Sequence, residues 1–152
     1  MTAAVSGTLL GFDFGERRIG VAVGETSTAI ASPLTTIVAE ANDARFEAIE
    51  SLVREWRPAA FVVGRPKHAD GAPHPVAALA SKFARRLAAR YDLPVFFVDE
   101  TLTSAEAERS LRETRTRAGR ASDVDALAAT LILQSYLDDG GPQLVGADDT
   151  SS

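Results

Sequence analysis

The run Thr8-Leu-Leu-Gly-Phe-Asp13-Phe-Gly15 decides how the rest of the chain is read. Short, apolar and closed by glycine, Thr8–Phe14 has the composition of a buried strand, yet it carries an aspartate. An ionised carboxylate inside such a strand is costly unless it is paired or holds a metal. The plainer alternative is an aspartate that ties down the following turn. Gly11, Gly15 and Gly20 favour the first reading, because they let another group approach the backbone around Asp13.

Working outward, Gly15-Glu16 turns the chain, and Arg18–Val23 sets Ile19, Val21 and Val23 against Gly20, Ala22 and Gly24, the pattern of a hairpin partner. A third strand is expected over Thr28–Val38, with Pro33 confining it to an edge or a bulge. Asn42 or Asp43 can cap a helix carrying Phe46, Ile49, Leu52, Val53 and Trp56, which Pro58 stops. Ala59–Val63 reads as a buried strand and Gly64–His74 as a loop. Pro75–Tyr91 reads as a helix with Phe83 and Leu87 inward and Lys82, Arg85, Arg86 and Arg90 outward. Pro94–Val98 is the next strand. Thr103-Ser-Ala-Glu106 is a capping box opening a helix to about Glu113. A basic loop, Thr114–Ala121, then leads to a last helix opened by Ser122 and ending near Asp139. A three-strand meander followed by alternating helices and strands predicts an α/β fold, a five-stranded mixed sheet flanked by helices. The strands beginning at Thr8, Ala59 and Pro94 are the parallel ones, since helices separate them. Residues 1–139 form one domain and 140–152 a flexible acidic tail.

Two further acids stand out. Glu100 follows the Pro94–Val98 strand at its carboxyl end, where open sheets place ligands, and Thr103 with Glu106 already caps the next helix. Strand alternation sends Asp99 to the other face. In Ser122-Asp123-Val124-Asp125, helical spacing puts Asp125 on one face with Ala129, Ile132 and Tyr136, which packs inward. Asp123 shares its face with Thr130 and Gln134, which meets water, and remains as an additional ligand candidate. Asp13, Glu100 and Asp125, on three separate elements, suit a hard cation, Mg²⁺ or Mn²⁺. Two such ions about 4 Å apart can activate water and stabilise the leaving oxygen of a phosphodiester. His68 and His74 read as exposed loop residues, with a phosphate contact by His68 as the alternative.

Composition narrows the classes. With 45% hydrophobic and 24% charged residues the chain is globular rather than disordered. It has no cysteine, which removes disulfides, thiol nucleophiles and thiolate zinc sites. No basic-then-apolar leader and no stretch of membrane-spanning length is present, so a cytoplasmic protein without membrane contact is expected. The net charge of −5 argues against a nucleic-acid partner, but Asp138, Asp139, Asp148 and Asp149 supply four of those charges. Arg109–Arg120 holds five arginines against Glu113 alone, and a local basic patch matters more than the total. Arg65 and Lys67 in the middle loop and Arg115, Arg117 and Arg120 before the last helix are therefore candidate nucleic-acid contacts. Arg17 and Arg18, in the hairpin, are even choices between contact and solvated surface. Most phenylalanines fall in core segments, which leaves base stacking without support.

Gly11-Phe-Asp13-Phe-Gly15, Arg18-Ile-Gly20-Val-Ala-Val, Gly64-x-Pro66 with Asp70-Gly71, Asp99-Glu100 with Leu102-Thr103, and Val124-Asp125 with Ala128-Ala129 occur in one order. In this the chain resembles the YqgF (RuvX) family of pre-16S rRNA nucleases and Holliday junction resolvase-like proteins, over about Thr8–Leu137. The resemblance implies an RNase H-like fold, a divalent metal, a cytoplasmic location and maturation of the 5′ end of 16S rRNA. It places the family's acidic site on Asp13, Glu100 and Asp125. The chain departs from the family's usual pattern at Arg65-Pro66-Lys67-His68 and at Thr101, so substrate contacts there do not carry over. The partner it implies is pre-rRNA, with branched DNA and an immature ribosomal subunit as alternatives. A non-catalytic assembly factor is the reading from a different class. A sugar-kinase or actin-like ATPase shares the opening Gly-x-Asp-x-Gly and hairpin but needs a second domain that 152 residues do not supply. Oligomeric state stays open between a monomer and a weak homodimer.

Overall fold

The computed structural model describes residues 5–65, 75–99, 121–141 and 143–144. Its elements are β1 (Thr8–Asp13), β2 (Arg18–Glu25), β3 (Ile30–Val38), α1 (Asn42–Trp56), β4 (Ala60–Arg65), α2 (Pro75–Tyr91), β5 (Val95–Asp99) and α3 (Ala121–Asp139). The five strands form one sheet in the order β3-β2-β1-β4-β5. β1–β2 and β2–β3 are antiparallel, while β1–β4 and β4–β5 are parallel. The mixed sheet flanked by helices that the sequence predicts is the sheet observed.

Pro33 acts in both ways open to it. β3 is an edge strand, and its register with β2 shifts between Val21 and Ala22, which pair with Thr35 and Pro33. Proline has no N–H for a ladder, and a bulge beside it absorbs the mismatch.

Alternation along the central strands separates two cores. Leu10, Phe12, Ile19, Val21, Phe61, Val63, Val95 and Phe97 face α1 and α2. There Phe83 of α2 meets Phe12, Phe14 and Phe46 at ring-centroid distances of 5.6, 5.1 and 5.8 Å. Leu9, Ala22, Ala60, Val62 and Val98 face Ala129, Ile132 and Leu133 of α3. α3 sits unusually close to the sheet because its footprint falls on glycine: a Cβ at Gly11 would lie 2.8 Å from Leu133 Cβ.

Several boundaries move. α1 has Ala41 as its N-cap, with no side-chain cap hydrogen bond, so Asn42 and Asp43 are its first helical residues and not its cap. It ends at Trp56, and Arg57 takes the left-handed conformation (φ 47°) just before Pro58. β4 continues two residues past Val63, so Gly64 and Arg65 belong to the strand. Ser122 lies within α3 and does not open it. Gln134 is half-buried: its amide accepts from Ala31 N at 2.9 Å and donates to Ala29 O at 2.9 Å, clamping the β2–β3 hairpin. That part of the face expected to meet water is thus occupied.

The tail expected to be flexible is in part held. Gln143 bridges Phe96 on the free edge of β5, and Leu144 N donates to Val95 O at 2.7 Å. The expected loop over 66–74, including Lys67 and His68, and the capping-box helix beginning at Thr103 lie outside the described residues.

Candidate functional site

Asp13 is the last residue of β1, and its Cα is paired with Gly20 of β2. Residues directly opposite one another project to the same face, and Leu9 and Gly11, of the same parity, face α3. Asp13 therefore stands on the α3 face at the carboxyl end of β1. A Cβ at Gly20 would fall 1.9 Å from the carbonyl oxygen of Asp125 and 2.5 Å from its carbonyl carbon. The backbone of α3 at Asp125 thus rests directly on Gly20, next to Asp13. A glycine thus lets the α3 backbone at Asp125 settle beside the strand end that carries Asp13.

Arg18, two residues before Gly20 on the same face of β2, sets its Nε 2.8 Å from Asp125 Oδ2. The contact is an ion pair without the alignment of a hydrogen bond. Among the described residues no group donates a hydrogen bond to Asp125 Oδ2, which is buried, although the Asp125 side chain as a whole is 25% exposed and that of Arg18 49%. α3 begins at Ala121, so Asp125 lies near the positive end of the helix dipole, which favours negative charge there.

The turn that carries Asp13 into Arg18 is anchored from below. A Cβ at Gly15 would lie 2.5 Å from Arg18 O, the mark of a tight turn. Arg45 of α1, only 5% exposed, donates from Nε to Ala39 O at 2.7 Å and from Nη2 to Gly15 O at 3.1 Å. Its guanidinium also lies 5.4 Å from the Phe14 ring centroid. Burial lowers the Arg45 pKa, against the opposing charges of Glu40 and Glu16. Sequence reading passed over this residue. The available signal was its position one helical turn before Ile49, on the inward stripe of α1.

The remaining candidates are placed as follows. Arg17 is exposed and its Nε is 3.8 Å from Glu40 Oε2. Arg65 stands on the α2 face of the sheet, opposite to Asp13. Its guanidinium lies 4.3 Å from the Phe97 ring centroid and its Nε 3.5 Å from Asp99 Oδ1. The structure therefore does not bring Arg65 to the carboxylates, and its ion pair with Asp99 sets that acid on the same far face, as alternation requires. Glu100, Lys67, His68, Thr101, Arg115, Arg117 and Arg120 lie outside the described residues, and so does the Asp123 side chain.

Asp13 and Asp125 offer oxygen donors, and among the described residues the buried Oδ2 of Asp125 is met by Arg18 as an ion pair but accepts no hydrogen bond. That chemistry fits a hard divalent cation. Among the described residues no cluster of three or more acidic or histidine side chains is present. A third donor would come from outside them.

Residues 7–139 match the family model RuvX, described as Holliday junction resolvase. The chain is 57% identical over 133 residues to the "Putative pre-16S rRNA nuclease" of Dechloromonas aromatica, covering 87% of this chain and 91% of that one. It is 49% identical over 137 residues to the protein of the same name from Neisseria gonorrhoeae, covering 90% of each. Among solved structures, Thermus thermophilus RuvC superposes with a TM-score of 0.56 at 18% identity, over 90% of this chain and 99% of that one. T. thermophilus RuvC in complex with a Holliday junction substrate superposes equally, at 16% identity over 91% and 99%. At such identities the likeness is one of fold, RNase H-like.

Proposed function

The chain belongs to the RuvX family, and on that premise we propose that it is a divalent-metal-dependent nuclease that hydrolyses phosphodiesters of RNA, maturing the 5′ end of the 16S rRNA precursor in the cytoplasm. The observation that supports this reading most is the seating of the Asp125 backbone on Gly20, the β2 residue paired with Asp13 at the carboxyl end of β1. Carboxylate oxygens gathered at a strand end beside a close-packed helix suit a hard dication.

In this reading Asp13, Asp125 and Glu100 hold Mg²⁺ or Mn²⁺. Asp99, the residue before Glu100, stands on the face opposite Asp13, which supports assigning the ligand role to Glu100 by alternation. The cation supplies Lewis-acid chemistry to phosphodiester hydrolysis, so no protein nucleophile is required. The chain's own residues do the rest. Arg45 and Gly15 fix the turn after Asp13, Gly20 seats Asp125, and the N-terminal end of α3 favours negative charge beside it. Arg115, Arg117 and Arg120 with Lys67 grip the backbone of the substrate; such contacts position a strand without reading its sequence.

Relatives named for pre-16S rRNA favour RNA. The second reading, cleavage of branched DNA, rests on the family model's description and on the RuvC fold. The deciding experiment incubates the purified chain with pre-16S rRNA fragments, single-stranded DNA and four-way junctions, with Mg²⁺, with Mn²⁺ and with chelator. RNA cleavage is expected only with metal. Asp13→Asn should abolish it while leaving the fold and most RNA affinity intact. Full cleavage by Asp13→Asn would remove Asp13 from the site, and RNA binding without cleavage by any metal would favour an assembly factor.

A further inference from the structure

Arg18 and Arg45 are held in opposite ways. Arg45 is buried, and its two hydrogen bonds to backbone carbonyls lock it in place. Arg18 is half exposed, and it touches Asp125 Oδ2 at 2.8 Å without an aligned hydrogen bond. With its cation half exposed and no aligned hydrogen bond to hold it, such an ion pair is readily exchanged. The geometry therefore leaves Arg18 able to move and Asp125 able to change partner.

We infer that Arg18 is a displaceable cation of the carboxylate site, which neutralises Asp125 while no metal is bound and turns to a phosphodiester oxygen of the nucleic acid once metal takes that carboxylate. The inference rests on the reading that Asp13 and Asp125 hold a divalent cation. A dication at Asp125 repels a guanidinium 2.8 Å from the same oxygen. The planar fork of a guanidinium matches phosphate as well as carboxylate. An arriving backbone thus offers Arg18 a replacement anion at the same sheet end. Metal and nucleic acid then reinforce each other through one side chain, since each favours the state in which Arg18 has left Asp125.

The test uses the full chain and needs no turnover. Mn²⁺ alone is titrated calorimetrically into the wild type, Arg18→Gln, Arg18→Lys and Asp13→Asn, with circular dichroism confirming that each is folded. Arg18→Gln should bind Mn²⁺ about two- to fivefold more tightly, the range expected on losing a weak competing ion pair. Arg18→Lys should stay near the wild type. Binding of a single-stranded RNA oligonucleotide is then measured against salt, with and without Ca²⁺, which shares the preference for carboxylate oxygen. In the wild type Ca²⁺ should steepen the salt slope by about 0.7, the contribution of one added phosphate contact. In Arg18→Gln the slope should not change. Unchanged or weaker Mn²⁺ binding by Arg18→Gln would overturn the inference, and so would a Ca²⁺ effect that survives the substitution. If Asp13→Asn still binds Mn²⁺ as the wild type does, the carboxylate-site reading itself falls. If Asp13→Asn loses Mn²⁺ while Arg18→Gln behaves as wild type, only the role of Arg18 falls.

Discussion

Gly20→Ala isolates the contact on which the site depends. The added Cβ would meet the Asp125 carbonyl oxygen at 1.9 Å and its carbon at 2.5 Å, and backbone cannot rotate aside as a side chain can. To restore ordinary contact, α3 must retreat by more than about 1 Å at Asp125. Overpacking of this kind costs about 1–3 kcal/mol, which for a domain of this size lowers the melting temperature by roughly 2–12 °C. A displacement of about 1 Å at a catalytic group costs on the order of 100-fold in rate. Activity should therefore fall far more than stability. Gly11→Ala is the control, because its Cβ meets the Leu133 side chain at 2.8 Å, farther along α3 from the acids. It should lose comparable stability and much less activity. Thermal denaturation, and cleavage assayed with Mg²⁺ or Mn²⁺ added, measured on both variants decide the matter. If Gly20→Ala cleaves as the wild type does, or if both variants lose activity in step with stability, seating of α3 on Gly20 is not what positions Asp125.

Arg45→Met removes two hydrogen bonds from a buried cation and leaves the Gly15 and Ala39 carbonyls without them; urea denaturation should show a loss of about 2–4 kcal/mol, and a change under about 0.5 kcal/mol would refute its role as an anchor. Reversing charge at Arg115 and Arg117 should weaken RNA binding and flatten its salt dependence; an unchanged slope would rule out that segment as the clamp. Burial alone raises the Tyr136 pKa above its ordinary value of 10.0. Its contribution to stability is therefore complete below pH 10.0 and is lost as pH rises through the folded value. Tyr136→Phe should accordingly reduce the loss of stability in alkaline urea titrations, and an identical alkaline profile would count against it.

Strand parity and the order of the described elements were legible in the chain itself. Period-two alternation marks a strand whatever surrounds it, and Pro33 and Pro58 act through their own backbone, so the sheet, its parallel strands, the edge position of β3 and the end of α1 could be read directly. The same local logic set Asp99 on the face away from Asp13. Other features belong to no local pattern. Arg18 reads as an even choice between contact and solvated surface until α3 arrives beside it, and Arg65 reads as a loop cation until Phe97 and Asp99 claim it from the neighbouring strand. Arg45 has the formula of a solvated residue but finds two carbonyls within reach of its fork. Each is decided by which partner lies across space, and sequence spacing carries no such information. The residues alone named Asp13 and Asp125 as candidates; only the packing of a helix onto a glycine decided that the Asp125 backbone rests on the strand pair that carries Asp13, because close approach depends on a missing side chain at one place and a backbone delivered from another.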